Sequence, residues 1–319
     1  MNDRAGTYHP ALEVEQLARA YGTTHAVRGL DFSIARGEFF GLLGPNGAGK
    51  TTTLAMLCGL LAPTGGQIRL DGLPAHPRTQ AQKRMLGLVP QDFAFYPMLS
   101  ARDNLDFFAR LHGMRGNRLE NRIRYGLKIA QLEHRADQVA GEFSGGMKRR
   151  LNIAIGVLHE PEILILDEPT VGVDAQSRHA ILETLRELNQ AGLTVIYSTH
   201  YLEEAHRLCH RVAIMDQGRI MALDTPHNLV RTLATGSIDI ELASIPEPSL
   251  LETFTHELKL KGIAESPTRW RLETRQPETA LPAIMTGLAA RGLSVHTLKW
   301  QEPNLETVFL TLTGRKTRD

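Results

Sequence analysis

The residues from Gly44 to Thr51 form a complete phosphate-binding loop, Gly-Pro-Asn-Gly-Ala-Gly-Lys-Thr. The loop lies between an apolar run, Phe39 to Leu43, and a helix-like run, Thr51 to Leu61. Glycines let backbone N–H groups turn toward phosphates at a positive helix N-terminus, and the lysine can reach the β and γ oxygens. The pattern therefore predicts a strand–loop–helix unit that binds a nucleoside triphosphate. The residues assigned to the nucleotide are Gly44, Pro45, Asn46, Gly47, Ala48, Gly49, Lys50, Thr51 and Thr52.

The chain has 319 residues, enough for a large core and, on size alone, for two domains. It carries 36 Lys+Arg against 35 Asp+Glu, so no overall basic field favours a nucleic-acid partner. Two cysteines, Cys58 and Cys209, lie in apolar helical patterns, which is typical of a reducing compartment. We expect neither a secretory signal nor a membrane span, because no uncharged apolar run reaches about 18 residues.

Short apolar runs alternate with helical patterns from Leu12 to about Leu223, which predicts a mainly parallel sheet. The early segments Leu12 to Ile34 and Gln67 to Leu70 are typical of antiparallel strands instead. Helical periodicity without strand signals from Leu99 to Gln138 indicates a helical insertion. Gln217-Gly218 separates two apolar runs and predicts a hairpin. The strand candidates for the parallel sheet are Phe39–Leu43, Leu86–Val89, Ile163–Leu166, Val195–Tyr197 and Val212–Met215.

The composition changes after about Thr232, where a new set of short strands and helices begins. The patterns predict the order β-α-β-α-β-α and hence a small separate α+β domain. This segment shows no recognisable catalytic constellation, which favours an interaction or stabilising module. The predicted division is an N-terminal tail over 1–11, a main domain over 12–232 with a helical subdomain at about 92–160, and an accessory domain over 233–319.

Two further motifs place polar groups where a phosphate could be bound. Asp167 and Glu168 follow the apolar run Ile163–Leu166, where the first could hold a Mg²⁺ shell through water and the second could polarise an attacking water. Alternatively, these carboxylates cap the next helix. Ser144, Gly145 and Gly146, called here the signature turn, precede a helical pattern and could bind a second anion. Taken alone, such a turn is also a common helix cap.

The motifs occur in an order that resembles the ATP-binding-cassette (ABC) family over roughly two thirds of the chain. The resemblance implies an α/β fold with a P-loop NTPase core of the ABC type, comprising a mainly parallel sheet, an antiparallel β subdomain and a helical subdomain, followed by the small α+β domain. It implies ATP and Mg²⁺, and a head-to-tail homodimer in which the signature turn of one subunit closes the ATP of the other. The motifs are the phosphate loop, Gln91, the signature turn, Asp167-Glu168, Asp174 and His200.

The resemblance also implies roles for single residues. Glu168 would activate water, Lys50 would neutralise charge on the γ-phosphate, and His200 would sense that phosphate. Gln91, which follows Val89-Pro90, is similar to the glutamine that contacts Mg²⁺ and the water. The implied catalytic residues are therefore Glu168, His200, Gln91 and Lys50, and the implied magnesium ligands are Thr51, Gln91 and Asp167.

Two assignments in this scheme have simpler alternatives. Tyr21 lies where the family places an aromatic ring against adenine, and such stacking is worth on the order of 1–3 kcal/mol in nucleic-acid complexes; an ordinary surface or buried tyrosine is the alternative. The segment Val171-Gly172-Val173-Asp174 resembles the family's loop that crosses the dimer interface. An aspartate N-cap for a helix from Ala175 explains it equally well.

One departure from the common family pattern indicates a branch. Methionine stands at Met147, where many members have glutamine, and a thioether cannot replace the hydrogen bonds of an amide. Met147-Lys148-Arg149-Arg150 and the segment Pro303–Leu310 resemble the ABC-2-type branch, whose cassettes serve exporters of drugs, lipids or glycan-linked molecules. The hypothesis is an ATP-hydrolysing exporter subunit, peripheral to the cytoplasmic face of the inner membrane, with a separate transmembrane permease and no nucleic acid. The alternatives are an importer cassette and a soluble mechanochemical ATPase.

Overall fold

The computed structural model describes residues 9–75, 78–247 and 249–314. Most of the predicted N-terminal tail, residues 1–11, lies outside this range, as does the charged end of the chain after Gly314. The chain forms two compact units, Met1–Thr225 and Pro226–Asp319. Within the described ranges, no helix combines the length and the apolar character needed to cross a membrane.

The first unit alternates strands and helices, and its elements are named here in chain order. They are β1 (Leu12–Tyr21), β2 (Thr24–Ile34), β3 (Phe39–Leu43), α1 (Lys50–Cys58), β4 (Gly65–Leu70), β5 (Leu73–Pro74), α2 (Gln80–Arg84), β6 (Leu86–Val89), α3 (Ala101–Leu111), α4 (Gly116–Ala130), α5 (Gly145–Gly156), β7 (Ile163–Asp167), α6 (Ala175–Gln190), β8 (Thr194–Thr199), α7 (Leu202–Leu208), β9 (Arg211–Asp216) and β10 (Arg219–Asp224).

A six-stranded sheet in the order β10-β9-β3-β8-β7-β6 forms the centre of this unit. The five strands from β9 to β6 are parallel, and β10 pairs antiparallel with β9 through the predicted Gln217-Gly218 hairpin. Strands β3, β7 and β8 are buried along their whole length, as their continuous apolar runs predict for a parallel sheet covered on both faces. Because β3, β8 and β7 are parallel neighbours, the loops at their carboxyl ends meet at one edge.

A second sheet is antiparallel, in the order β2-β1-β4-β5. It shares one apolar core with the parallel sheet and α1. Phe32 of β2 stacks on Phe40 of β3 with ring centroids 5.4 Å apart, and Leu54 of α1 is buried in the same cluster. The mainly parallel sheet and the antiparallel sheet confirm the predicted fold class.

Helices α3, α4 and α5 form a separate apolar cluster within the predicted helical segment. Each contributes one buried stripe, represented by Leu105 of α3, Ile123 of α4 and Leu151 of α5. Helix α3 begins at a capping box, in which the hydroxyl of Ser100 accepts the N–H of Asp103 and the carboxylate of Asp103 accepts the N–H of Ser100. The cap explains why helical structure starts abruptly after the irregular segment that follows Gln91.

The second unit is a four-stranded antiparallel sheet with helices. Its elements are α8 (Pro226–Leu233), β11 (Gly236–Leu242), α9 (Leu250–Leu258), β12 (Lys261–Ala264), β13 (Arg269–Thr274), α10 (Pro277–Ala290), β14 (Val295–Gln301) and α11 (Leu305–Thr313). The strand order is β12-β13-β11-β14, so β11 to β14 with α9 and α10 form a βαββαβ unit of the ferredoxin-like type.

Two features of this unit correct the sequence interpretation. The predicted order β-α-β-α-β-α missed the edge strand β12, because its four residues, Lys-Gly-Ile-Ala, are too few to show a period of two. The predicted boundary after Thr232 also lies too late, since the compact units divide between Thr225 and Pro226. Helix α8 packs against α11 and therefore belongs to the second unit.

Candidate functional site

The phosphate loop connects β3 to α1, as predicted. Helix α1 begins after Gly49, and no side chain caps its N-terminus. Gly49 has a φ of 100°, and a Cβ at this position would lie 2.6 Å from the carbonyl oxygen of Ala26, so glycine alone fits the turn. The first N–H groups of an α-helix have no partner within the helix. The loop thus offers backbone donors and a positive helix end to an anion.

Lys50, the first residue of α1, is buried, with a side chain only 5% exposed. Its Nζ donates to the carbonyl oxygen of Gly44 at 2.8 Å and to that of Pro45 at 3.3 Å. The same Nζ lies 3.3 Å from Oε1 of Glu168. The loop therefore holds the ammonium group from its own backbone, while Thr51 at the next position is exposed.

Asp167 and Glu168 stand at the carboxyl end of β7, next to Ser198 near the end of β8. The Ser198 hydroxyl donates to Oδ1 of Asp167 at 2.6 Å. The Glu168 N–H donates to the Ser198 Oγ at 3.0 Å, and Glu168 has a left-handed φ of 47°. Neither carboxylate caps the next helix, because α6 is capped by Asp174. One serine thus orients both acidic residues, a role that the sequence analysis did not assign to it.

The carboxylate of Glu168 lies between two cationic or potentially cationic groups. Oε1 faces Lys50, and Oε2 lies 3.3 Å from Nδ1 of His200, which follows β8. The His200 nitrogen is close but not aligned for a hydrogen bond, since it has no hydrogen-bond partner among the described residues. Glu168 is only 8% exposed, so these charges interact with little screening by water. The structure brings together the predicted residues Lys50, Glu168 and His200 in one small buried group.

The oxygen groups that the sequence analysis assigns to magnesium have the chemistry that this ion prefers. Mg²⁺ prefers hard oxygen ligands and retains several waters. Asp167 is buried, and only its Oδ1 is occupied by Ser198; Oδ2 has no hydrogen bond within the described residues. Thr51 and Gln91 are exposed and contribute a hydroxyl and an amide oxygen. The donor set of Thr51, Gln91 and Asp167 therefore suits Mg²⁺ rather than a softer metal.

The signature turn lies at the start of α5, where the hydroxyl of Ser144 accepts the N–H of Met147 at 3.3 Å. A Cβ on Gly146 would lie 2.1 Å from Oγ of Ser177, so this glycine permits close packing of α5 against α6. A Cβ on Gly145 would meet only the carbonyl oxygen of Gly172 within 4 Å. The neighbours of the turn are thus the start of α6 and the loop before it, not the phosphate loop of the same chain.

Tyr21 and Gln91 lie on exposed parts of the first unit. The ring of Tyr21, at the end of β1, is 48% exposed and lies 4.6 Å beneath the guanidinium of Arg19. This contact positions the ring while leaving its area accessible. Gln91 follows β6, and its amide side chain is exposed while its backbone carbonyl accepts a hydrogen bond at 2.8 Å from Arg149.

Comparison with known proteins identifies the arrangement. A family model described as ABC transporter matches residues 27–171. The chain is 40% identical to the linearmycin resistance ATP-binding protein LnrL of Bacillus subtilis (strain 168), over 97% of this chain and 100% of the relative. It belongs to the ABC transporter family. Within that family it is an ATP-binding subunit and an ATPase.

Three further similarities cover different shares of this ABC subunit. The Nod factor export ATP-binding protein I of Cupriavidus pinatubonensis is 38% identical over 97% of this chain and 92% of the relative. Among solved structures, cbiO1 from Clostridium perfringens, part of the ABC transporter complex cbiONQ, matches with a TM-score of 0.65 and 31% identity over 69% of this chain and 90% of that chain. The ATP-binding cassette MJ0796, in a dimeric post-hydrolysis state bound to ADP and Pi, matches with a TM-score of 0.62 and 26% identity. This match covers 67% of this chain and 98% of the MJ0796 chain.

Met147, in the first turn of α5, has a packing role in this ABC subunit. Met147 lies against the apolar cluster of α3, α4 and α5. A flexible thioether fills such a gap well. The backbone N–H groups and the Ser144 cap are retained beside it. The methionine therefore packs into the apolar cluster and leaves the backbone N–H groups and the Ser144 cap at the start of α5 in place.

The sequence analysis missed two residues that connect α5 to the loop of Gln91. Arg149, only 3% exposed, donates to the carbonyl oxygens of Pro90 at 3.0 Å and Gln91 at 2.8 Å. Asn152 accepts the N–H of Ala94 at 3.0 Å. Both residues lie in an apolar helical pattern, where a polar residue on a buried face was the available signal. They attach the segment around Gln91 (Pro90 to Ala94), called here the glutamine loop, to α5, the helix that begins at the signature turn.

Asp174 is the N-cap of α6, and its Oδ1 accepts the N–H of Ser177 at 2.9 Å. Hydrogen bonds from the backbone N–H and then the hydroxyl of Ser177 lower the pKa of Asp174. We expect Asp174→Ala to lower the Tm by about 2–4 °C through loss of the cap, and Asp174→Asn to leave it nearly unchanged, because asparagine caps as well as aspartate. Calorimetry on both variants measures this.

The asparagine variant also separates the cap from the role that the family resemblance implies. If Asp174 acts only as a cap, Asp174→Asn should hydrolyse ATP at the wild-type rate. Slower hydrolysis at an unchanged Tm would contradict a purely capping role and favour a contact across the dimer interface.

The compact units give a further prediction, on truncation. We expect a chain cut after Thr225 to bind ATP with unchanged Kd, because Lys50, Glu168 and the phosphate loop all lie in the first unit. A cut after Thr232 should bind ATP equally but aggregate more, since it retains α8 and exposes Leu229, which is buried in the complete chain. Titration of a fluorescent ATP analogue and light scattering distinguish the two. A large loss of affinity in the shorter chain would show that the second unit contributes to nucleotide binding.

Proposed function

We propose that the chain is the ATP-hydrolysing subunit of an ABC-type exporter of the ABC-2 branch. The observation that carries the proposal is the extent of similarity. The matches to the solved cassettes cover 69% and 67% of the chain, whereas those to proteins named for export or resistance cover 97% and therefore include the second unit. An importer cassette is the closest alternative, and it would use the same catalytic residues.

In the proposed reaction, the N–H groups at the start of α1 and the ammonium of Lys50 bind the β- and γ-phosphates. The carboxylate of Glu168 accepts a proton from the water that attacks the γ-phosphorus. The bond from this phosphorus to the β–γ bridging oxygen breaks, so that ADP leaves and inorganic phosphate forms. His200, 3.3 Å from Glu168, contacts the same phosphate. Asp167, Thr51 and Gln91 would hold Mg²⁺, which would supply positive charge to neutralise the phosphates.

The nucleotide is bound between two copies of the chain in this proposal. The signature turn offers N–H groups at a helix N-terminus, yet its close neighbours in the same chain belong to α6 and the loop before it. A head-to-tail homodimer would place the turn of one subunit over the phosphates held by Lys50 of the other. Tyr21 would stack on adenine, which its exposed ring allows. A full reversal from mostly open to mostly closed requires about 5.5 kcal/mol in favour of the closed state.

A permease subunit is the proposed membrane partner, and an exposed apolar surface after Gln91 is the proposed place of contact. This docking surface carries five exposed apolar side chains on one segment of the first unit. They are Phe93, Tyr96, Met98, Leu99 and Phe107. Tyr96 and Phe107 pack edge to face with centroids 4.9 Å apart, so the aromatic part is already ordered. Exposed apolar patches of this kind mark interaction sites. The chain would then lie at the cytoplasmic face of the inner membrane.

The test is co-purification from membranes. A tagged chain is expressed in the organism that encodes it. It should be recovered from detergent-solubilised membranes together with an integral membrane protein, at a fixed molar ratio between the two. Met98→Asp, which places a charge at a side chain 84% exposed, should abolish this recovery and leave the ATPase rate of the isolated chain unchanged. The matched control is Leu60→Asp, at a side chain 72% exposed elsewhere in the unit.

The outcome separates the candidate functions. Recovery with ribosomes or DNA and without a membrane protein would favour the soluble mechanochemical ATPase. Recovery with both a permease and an external binding protein would favour an importer.

A further inference from the structure

A buried carboxylate outside the phosphate site connects the segments that carry Glu168 and His200. Glu204 of α7 is only 5% exposed. Its Oε2 accepts hydrogen bonds from the hydroxyls of Thr170 at 3.0 Å and Thr199 at 3.2 Å, and from the hydroxyl of Tyr197. Three donors on one oxygen form a dense polar network.

Two of these donors are next to the reacting groups along the chain. Thr199 directly precedes His200, and its hydroxyl also accepts the N–H of Tyr201 at 2.9 Å. Thr170 lies two residues after Glu168, in the segment that follows β7. A single carboxylate therefore binds both the segment after β7 and the last residue of β8, next to His200.

Burial of a carboxylate such as that of Glu204 has a desolvation cost that a structural role alone does not require. Burial of an ionised group requires compensation by a partner charge and by hydrogen bonds. The nearest cation is Arg178 of α6, with Nε 3.7 Å from Oε1 of Glu204, and neither atom has a hydrogen-bond partner among the described residues. Apolar side chains of similar volume would fill the same space with less desolvation. Burial and the neighbouring Glu204 raise the pKa of Tyr197, which keeps its hydroxyl protonated as a donor.

The backbone at Glu168 explains what the network must resist. Glu168 adopts a left-handed φ of 47°, which a non-glycine residue holds only when its surroundings impose it. Ser198 fixes the N–H of Glu168 from one side, and Thr170 fixes the segment after it. A displacement of either loop would change the 3.3 Å approach between Glu168 and His200.

We propose that Glu204 is a positioning residue for ATP hydrolysis, which holds the Glu168 and His200 loops in register through the hydroxyls of Thr170 and Thr199. The inference rests on the roles proposed above for Glu168 and His200. Glu204 does not touch the nucleotide. Its effect is on the geometry of the residues that do.

The test compares Glu204→Gln with Glu203→Gln, which changes the adjacent and exposed carboxylate. Because an amide oxygen carries no negative charge, it accepts three hydroxyl donors less well than the carboxylate oxygen Oε2 does. We expect Glu204→Gln to lower kcat by about 10- to 100-fold with KM for ATP changed less than about threefold, and Glu203→Gln to change neither. Glu204→Asp, which keeps the charge, should recover part of the lost kcat.

A double variant separates positioning from general stabilisation. In a Glu168→Gln chain the reaction no longer uses the positioned carboxylate, and only the effect through His200 remains, so adding Glu204→Gln should lower the residual rate by a smaller factor than it lowers the wild-type rate. An equal fall in both backgrounds, or a fall in kcat matched by a fall in ATP affinity, would overturn the proposal. If Glu204→Gln does not fold, Thr199→Val removes one hydroxyl at nearly constant volume and should lower kcat with unchanged KM; a wild-type kcat there overturns it equally.

The same set of measurements distinguishes the two proposals. A Glu168→Gln chain with wild-type turnover would refute the assigned base, whatever Glu204→Gln does. A normal loss of turnover in Glu168→Gln, together with a fully active Glu204→Gln, would refute only the positioning role.

Discussion

Glu168→Gln is expected to bind ATP and to hydrolyse it about 10²- to 10⁴-fold more slowly than the wild-type chain, the range for loss of a positioned general base. Glutamine has the same shape as glutamate but cannot accept a proton. Removal of the negative charge 3.3 Å from Lys50 leaves that ammonium free for the phosphates, so ATP affinity should be equal or higher. Single-turnover hydrolysis and equilibrium binding measure the two effects separately.

The same variant tests the proposed homodimer. Slow hydrolysis should trap the closed form, so size-exclusion chromatography with light scattering should show a dimer with ATP and Mg²⁺ and a monomer without them. Glu187→Gln, at an exposed position on α6, is the matched control and should turn over ATP normally. A Glu168→Gln chain that stays monomeric at saturating ATP would contradict ATP-driven pairing of isolated subunits, and one that retains turnover would exclude Glu168 as the base.

Lys50→Ala is expected to have the largest effect on binding. Loss of one partner of a buried charge pair costs about 2–5 kcal/mol, and each 1.4 kcal/mol is a factor of ten, so the Kd for ATP should rise roughly 30- to 4,000-fold. The loss has two causes in this protein. The phosphates lose their contact with the ammonium group. In addition, the carboxylate of Glu168 loses its cation at 3.3 Å, so its unpaired negative charge repels the phosphates.

Isothermal titration with ATP and Mg²⁺ measures the change. Lys83→Ala removes a lysine from the exposed face of α2 and should bind ATP as the wild-type chain does. A Lys50→Ala chain with normal affinity and full turnover would refute the assignment of the phosphate loop. A chain with weak binding but a normal Tm would support it, because the fold would then be intact.

Local patterns predicted the central part of the fold. The strands β3, β7 and β8 are fully buried, so each is a continuous apolar run that the sequence displays directly. The phosphate loop was equally visible, because its glycines are required by the backbone, as the 2.6 Å approach of a Cβ at Gly49 to Ala26 shows. Asp167, Glu168 and His200 could be located because each directly follows such a strand or ends it.

Contacts between distant segments were not predictable in this way. Ser198 and Glu204 are common residue types, and their importance comes from partners 30 or more residues away, such as Asp167 and Thr170. Strand β12 is defined by its pairing with β13 rather than by its own four residues. The unit boundary also depends on the packing of α8 against α11, which a change in composition does not report.

The attachment of the glutamine loop to α5 affects which side chains of the loop can be substituted. Among the described residues, the hydrogen bonds of Arg149 and Asn152 to the loop all involve main-chain atoms, namely the carbonyl oxygens of Pro90, Gln91 and Asp92 and the N–H of Ala94. Mutations of the loop side chains therefore do not remove these attachments. Phe93, whose ring centroid lies 4.9 Å from the guanidinium of Arg149, adds a side-chain contact that its substitution would remove, while the hydrogen bonds to the main chain would remain. Substitutions can therefore change the exposed side chains of this loop, while the hydrogen bonds that attach its main chain to α5 are retained.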